Sequence, residues 1–177
     1  MNYYIWTMGC QMNQADSARL AGYLEAWGWQ EVGQPQDADL VLVNTCVVRQ
    51  RAEDKARARL EALGALKKGR PHLLLAVTGC LVDPRGDGEL RRSLPWVDAF
   101  IPAQGFEEFL AFARQQGLGG EIASVPLPAS SGTTAFVSVI QGCNNFCTYC
   151  IVPYRRGRER SRPPAEVVTE VKGLVGQ

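Results

Sequence analysis

Apolar residues along this chain fall into two alternating registers. Four short runs of aromatic, β-branched and aliphatic residues read as strands: Tyr3-Tyr4-Ile5-Trp6-Thr7-Met8, Leu40-Val41-Leu42-Val43, Leu73-Leu74-Leu75-Ala76-Val77-Thr78 and Val97-Asp98-Ala99-Phe100-Ile101. The second and third are continuous runs, as strands covered on both faces are. Between the runs the spacing turns helical. Leu20, Leu24 and Trp27, with Tyr23 on the same flank, predict a helix that Asn13 caps, with Asp16 in its first turn and Gly28 at its end. Ala52, Ala56, Leu60, Leu63 and Leu66 predict a long helix over residues 50–68, with Glu53 and Arg57 paired at i, i+4 and a stop at Gly69 and Pro71. A short helix around Glu89-Leu90-Arg91-Arg92 follows, and then one from Phe106 to Gln116 with Phe106, Phe109, Leu110 and Ala113 on one face.

Strand–helix alternation of this kind predicts an α/β fold, with a parallel sheet and right-handed crossovers, over residues 1–125. Ile122-Ala123-Ser124-Val125 is a candidate edge strand before a Pro/Ser/Gly-rich linker at 126–132. Residues 133–177 form a second unit. Its strand is Thr134-Ala135-Phe136-Val137-Ser138-Val139-Ile140. Its last helix, about 164–175, opens on Pro163-Pro164 and turns Val167, Val168, Val171, Leu174 and Val175 to one side.

Composition adds compartment. Hydrophobic content of 46% and charged content of 21% are ordinary for a globular protein. No apolar run approaches the roughly 20 residues of a membrane helix. The opening Met1-Asn2-Tyr3-Tyr4 lacks the basic and apolar regions of a signal peptide. These features predict a cytoplasmic protein without a membrane partner. In that compartment six cysteines point to metal or redox chemistry before a disulfide framework.

Three of them, Cys143, Cys147 and Cys150, stand at C-x3-C-x2-C within Gly142-Cys143-Asn144-Asn145-Phe146-Cys147-Thr148-Tyr149-Cys150. Thiolates are the usual ligands of four-iron clusters, which normally take four. Three local ligands leave one iron open to a small molecule. Tyr149, just before the last cysteine, completes a C-x3-C-x-aromatic-C pattern that resembles the signature of radical S-adenosylmethionine (SAM) enzymes. A zinc knuckle and a disulfide loop are the alternatives; structural zinc wants a fourth ligand, and the one histidine, His72, is far away in sequence.

The other three, Cys10, Cys46 and Cys80, each follow a predicted strand. Open α/β sheets bind ligands in the crevice outside their strands' carboxyl ends, so these distant cysteines can converge there. They could equally be small buried hydrophobes, or a zinc site. Charge is uneven as well. Residues 131–177 hold six Lys and Arg against three Asp and Glu, mostly through Arg155, Arg156, Arg158, Arg160 and Arg162. Such a strip suits an anionic partner such as nucleic acid; a solvated basic face is the plain alternative.

Taken together, several stretches resemble the methylthiotransferases, a branch of the radical SAM enzymes. They are Gly9-Cys10-Gln11-Met12-Asn13, Asn44-Thr45-Cys46, Thr78-Gly79-Cys80, Gln141-Gly142-Cys143 through Cys150, and Ile151-Val152-Pro153-Tyr154 with Arg156-Gly157-Arg158-Glu159-Arg160-Ser161-Arg162. Within that family the chain is most similar to the branch acting on isopentenylated adenosine of tRNA. The resemblance implies a Rossmann/flavodoxin-like N-terminal domain, then the first strand and helix of a radical SAM (β/α) barrel truncated at Gln177.

It implies two [4Fe-4S] clusters, with Cys143, Cys147 and Cys150 holding the radical SAM cluster and Cys10, Cys46 and Cys80 an auxiliary one that supplies sulfur. It also implies SAM near Tyr149, a flavodoxin-type reductant, an unidentified sulfur donor, and a tRNA anticodon stem-loop methylthiolated at C2 of N6-isopentenyladenosine. The five arginines would meet either RNA phosphate or the cluster loop and SAM carboxylate. No catalytic side chain is assigned. The rivals are methylthiotransferases for threonylcarbamoyl-adenosine or a ribosomal-protein aspartate, and a non-catalytic iron–sulfur or zinc module. A chain truncated in this way would be inactive alone, and its last helix would lack part of its packing.

Overall fold

In a computed structural model the protein is described over residues 1–122, 125–129 and 133–176. Five strands make one parallel sheet: β1 (Asn2–Thr7), β2 (Gln30–Glu31), β3 (Leu40–Thr45), β4 (Leu74–Gly79) and β5 (Ala99–Pro102). Their order is β2-β1-β3-β4-β5. The chain first steps from β1 to β2 on one side. It then crosses back to β3 and proceeds outward on the other side. The direction of winding therefore reverses between β1 and β3, the switch point of this class of sheet.

The continuous apolar runs become the sheet interior. All six residues of β3 are buried. Because side chains alternate along a strand, Leu40 and Leu42 join one core and Val41 and Val43 the other. The first core packs under α1 (Gln11–Ala26) and α4 (Phe106–Gln116), through Leu20, Leu24 and Phe109. The second packs under α2 (Gln50–Gly69) and α3 (Gly88–Ser93), through Leu60, Leu63 and Leu90. The expected α/β sandwich is present, with helices on both faces. The two-residue strand β2 and a 3₁₀ turn at Pro35–Asp37 are additions that no hydrophobic period announces.

The start of α1 differs from expectation. Cys10 is its N-cap residue, and Asn13 lies inside the helix with 0% exposure. The side chain of Asn13 serves a neighbouring strand and leaves the N-terminus of its own helix uncapped.

The C-terminal part departs further. Of the strand expected over Thr134–Ile140, only Ile140 is in β structure. It belongs to β6 (Ile140–Gln141), paired antiparallel with β7 (Arg160–Ser161). Residues 133–139 have no neighbouring strand among the described residues, and β-propensity without a partner forms no ladder. Ile122 and Val125 of the candidate edge strand are not in a strand, while Ala123 and Ser124 lie outside the described residues. A one-turn helix, α5 (Val152–Arg155), follows the cysteine loop.

The last helix, α6 (Pro164–Val175), forms as expected, but its valines do not cover a core. Val168, Val171 and Val175 are exposed, whereas Glu170 is buried. Glu170 accepts from Arg19 of α1 at 2.9 Å and from Arg162 at 2.6 Å, which fastens α6 to the sheet domain by charge. No helix among the described residues is long and apolar enough to cross a membrane.

Candidate functional site

The carboxyl ends of β1, β3 and β4 are spliced together by buried polar groups. Asn13 Nδ2 donates to Asn44 Oδ1 and to the Thr45 carbonyl, both at 2.8 Å. Asn44 Nδ2 returns bonds to the Asn13 carbonyl and to Ser17 Oγ, both at 2.9 Å. Thr45 Oγ1 donates to the Thr78 carbonyl at 2.6 Å and accepts from the Leu81 amide at 3.2 Å. Every one of these groups would be costly to bury alone, and together they satisfy one another.

This frame sets the three strand-end cysteines. Cys10 turns the chain from β1 into α1, with its Sγ 3.3 Å from Asn13 Oδ1. Cys46 follows the tied Thr45 and is buried. It is close to the first strand end: a Cβ on Gly9 would come within 3.0 Å of the Cys46 Cβ. Cys80 is buried, and its amide donates to the Thr45 carbonyl at 3.0 Å. Gly79 permits that approach. Its φ is +91°, and a Cβ there would stand 2.4 Å from the Thr45 oxygen. The structure thus places Cys10, Cys46 and Cys80 at the ends of three neighbouring strands, β1, β3 and β4. Burial pushes the Cys80 thiol up. Arg156 counters that shift, and the nearby Cys46 and Cys10 add to it.

The second set forms a loop against the chain that follows it. The Cys143 amide donates to the Gly157 carbonyl at 3.1 Å, and the Cys150 amide to the Cys147 carbonyl at 3.0 Å. Gly142, at φ +72°, lets the returning backbone pass; a Cβ there would lie 2.2 Å from the Arg158 carbonyl. Phe146 sits in the left-handed region at φ +46° and packs edge-on against Tyr154 at 5.8 Å. Cys147 is exposed, Cys143 and Cys150 are partly so, and Tyr149 is 90% exposed.

All six cysteines are free thiols. Among the described residues no group of three or more His, Cys, Asp or Glu closes on a single metal ion. Thiols are the donors that iron–sulfur clusters take, and each cysteine set supplies three.

The five arginines have separate fates. Arg155 pairs with Asp83 at 3.1 Å. Arg156 is buried against Asp16 at 3.0 Å and Asn13 Oδ1 at 3.3 Å. The Arg158 guanidinium lies 4.3 Å from the centre of the Phe146 ring. Arg162 donates to the Ser138 carbonyl at 2.8 Å as well as to Glu170. Arg160 is exposed. Arg155, Arg156, Arg160 and Arg162 share the wall of a cleft of about 630 Å³, which Asp16, Arg19 and Gln104 line from the sheet domain.

Sequence reading missed Asn13, Asp16, Asn44 and Thr45 as site residues. The available signal was the clustering of small polar residues beside each cysteine, where a purely apolar strand end would suffice for packing.

The Radical SAM superfamily model matches residues 137–177. The tRNA-2-methylthio-N(6)-dimethylallyladenosine synthase of Dehalococcoides mccartyi is 46% identical over 173 residues, covering 98% of this chain and 39% of that protein. The synthases of the same name from Moorella thermoacetica and Clostridium botulinum are 41% and 38% identical, each over 99% of this chain and 42% of theirs. The chain spans about two-fifths of the length of these curated relatives. A crystal structure of a CheY-like protein (tadZ) from Pseudomonas aeruginosa overlaps 71% of this chain and 98% of that one, at 19% identity and a TM-score of 0.42. The model of the uncharacterized protein family UPF0004 matches residues 2–102, which carry the whole sheet and all three strand-end cysteines, and the chain belongs to that family.

Proposed function

We propose that this chain carries the two cysteine sites of a tRNA methylthiotransferase that acts on C2 of an N6-isopentenylated adenosine beside the anticodon. The observation that supports the reading is the placement of Cys10, Cys46 and Cys80 at three neighbouring strand ends, together with a C-x3-C-x2-C loop later in the chain. The names of the relatives support the substrate. Residues 1–125 act as the sheet domain, 126–132 as a linker and 133–177 as the opening of a radical SAM barrel.

In this reading Cys10, Cys46 and Cys80 hold an auxiliary [4Fe-4S] cluster, and Cys143, Cys147 and Cys150 hold a second beside which Tyr149 meets SAM. The clusters and SAM supply the radical and sulfur chemistry that an unactivated aromatic carbon requires. The chain's own residues hold and screen the sites. The Asn13, Asn44 and Thr45 frame fixes the strand ends, and the buried walls of Cys46 and Cys80 keep water from the inner thiols. The exposed Cys147 and Tyr149 leave the loop site open to a small molecule. A tRNA anticodon stem-loop, a flavodoxin-type reductant and a sulfur donor are the partners of this reading; Arg158 and Arg160 are the exposed arginines it offers to RNA.

The test is iron and sulfide per chain after anaerobic reconstitution. About eight irons are expected, falling to about four when either cysteine triplet is replaced by alanine, since each cubane holds four. Stoichiometric zinc with no sulfide would refute the reading.

A further inference from the structure

Arg156 belongs by sequence to the segment after the cysteine loop, yet its side chain lies in the strand-end site. Only 5% of that side chain is exposed, and its ion-pair partner Asp16 is 8% exposed. It reaches Asn13 Oδ1 at 3.3 Å, the residue whose amide holds the Thr45 carbonyl next to Cys46. Cys10 Sγ meets the same Asn13 oxygen at 3.3 Å. The backbone neighbour of Arg156, Gly157, accepts from the Cys143 amide. One residue thus touches the frame of the first cysteine set with its side chain, while the next peptide holds the second set.

Burying a guanidinium is costly unless it is paired, and surface ion pairs contribute little. A cation needed only for solubility or for RNA phosphate would remain in solvent. Asp16 meets part of the cost. Buried ion pairs often do no better for stability than apolar residues of the same shape, so retention of this pair calls for another role. Three cysteines stand at these strand ends, and the Arg156 guanidinium shares the Asn13 oxygen with Cys10 Sγ. Asp83, which pairs with Arg155, stands near the same edge and adds an opposing charge.

We propose that Arg156 is a positioning residue that ties the Cys143–Cys150 loop to the Cys10, Cys46 and Cys80 site and sets a buried positive charge at its Asn13 frame. The proposal rests on the reading of both triplets as cluster sites. It goes beyond that reading by naming the side chain that fixes one site against the other.

The experiment compares the reconstituted wild-type protein with Arg156→Gln, Arg156→Lys and the Arg156→Gln/Asp16→Asn double variant. The double variant removes both buried charges and keeps an amide on each side, which guards against misfolding from a stranded carboxylate. Thermal unfolding checks the fold of each. Two readouts are followed: the midpoint potential of the strand-end cluster, measured with the loop cysteines replaced by alanine, and hydrogen exchange over residues 142–160 in the intact protein.

Arg156→Gln is expected to lower the potential and to speed exchange in the loop by about tenfold or more while residues 20–45 stay protected. Arg156→Lys, which keeps the charge but cannot fork between Asp16 and Asn13, is expected to restore the potential and leave exchange fast. The double variant is expected to leave the potential closer to wild type than Arg156→Gln does. A wild-type protein that takes up iron on both triplets but shows no response of potential or of loop exchange to Arg156→Gln would overturn the proposal and leave the cluster reading standing. Absence of iron from the strand-end cysteines of the wild type would overturn the cluster reading, and the charge role of Arg156 with it.

Discussion

The side-chain amide of Asn13 spans from α1 to the end of β3 and donates to the Thr45 carbonyl at 2.8 Å, one residue before Cys46. The same nitrogen holds Asn44 Oδ1, so one buried group maintains two acceptors. Replacing Asn13 by alanine would strip Asn44 Oδ1 of its donor and leave the Thr45 carbonyl with the Cys80 amide alone. The expected cost is about 1–3 kcal/mol, the usual penalty for one unsatisfied buried group. Urea unfolding of Asn13→Ala measures it; a loss below about 1 kcal/mol would show that the frame is dispensable.

The close approach at Gly79 predicts a second large effect. An alanine there needs a side chain at φ +91° and a Cβ 2.4 Å from the Thr45 oxygen. Either β4 shifts away from β3 or the strand ends separate. Gly79→Ala is expected to destabilise by at least about 2 kcal/mol and to lower iron uptake on the strand-end cysteines, while uptake by the C-x3-C-x2-C loop persists. Loss at both sites in equal measure would mean global unfolding, which the denaturation curve would reveal.

Much of this was legible before the fold was known. The strand runs and helical spacings are local signals, and α4 begins and ends where its apolar period does. The strand-end cysteines were legible too, because β-strand direction and topology place them on one edge. Arg156 was not, since a residue inside an arginine-rich strip carries no local mark of burial; its partner Asp16 is 140 positions away. Asn13 was misread for a similar reason. Near a helix start an asparagine signals a cap, and only the neighbouring strand reveals its other use. The short pairing of β6 with β7 is also non-local, so the β-rich run before Ile140 suggested a longer strand than forms.

Acid should loosen one local contact. Asp83 accepts from the Arg85 side chain and amide and pairs with Arg155, and these partners hold its carboxyl below the usual aspartate range. A depressed folded-state value contributes stability above the unfolded range, and that stability is lost as pH falls through the folded value. Wild type should therefore exceed Asp83→Asn in melting temperature at pH 6. The difference should shrink once the pH drops below about 4, where an unfolded aspartate begins to protonate. A difference that stayed constant down to pH 3 would assign the contact a packing role without charge.

The arginines should differ in their response to salt. Arg160 is exposed, whereas Arg162 is pinned by Glu170 and the Ser138 carbonyl. In binding to an anticodon stem-loop RNA, Arg160→Ala is expected to reduce the slope of log affinity against log salt by about one, the signature of one phosphate contact. Arg162→Ala should act through the docking of α6 and leave that slope nearly unchanged. Equal slopes for wild type and Arg160→Ala would remove Arg160 from the RNA surface.

The winding order β2-β1-β3-β4-β5 also has a consequence for biogenesis. Cys143, Cys147 and Cys150 are neighbours in any conformation of the chain, so a nascent or unfolded polypeptide can already capture metal there. Cys10, Cys46 and Cys80 become neighbours only when the middle of the sheet has closed, and loop closure must precede any gain from binding. In the proposed cluster reading, loading of the strand-end site is therefore a checkpoint on completed folding. A chelator added during refolding should starve that site only if it outlasts sheet assembly, whereas it competes for the loop site from the first moments of refolding.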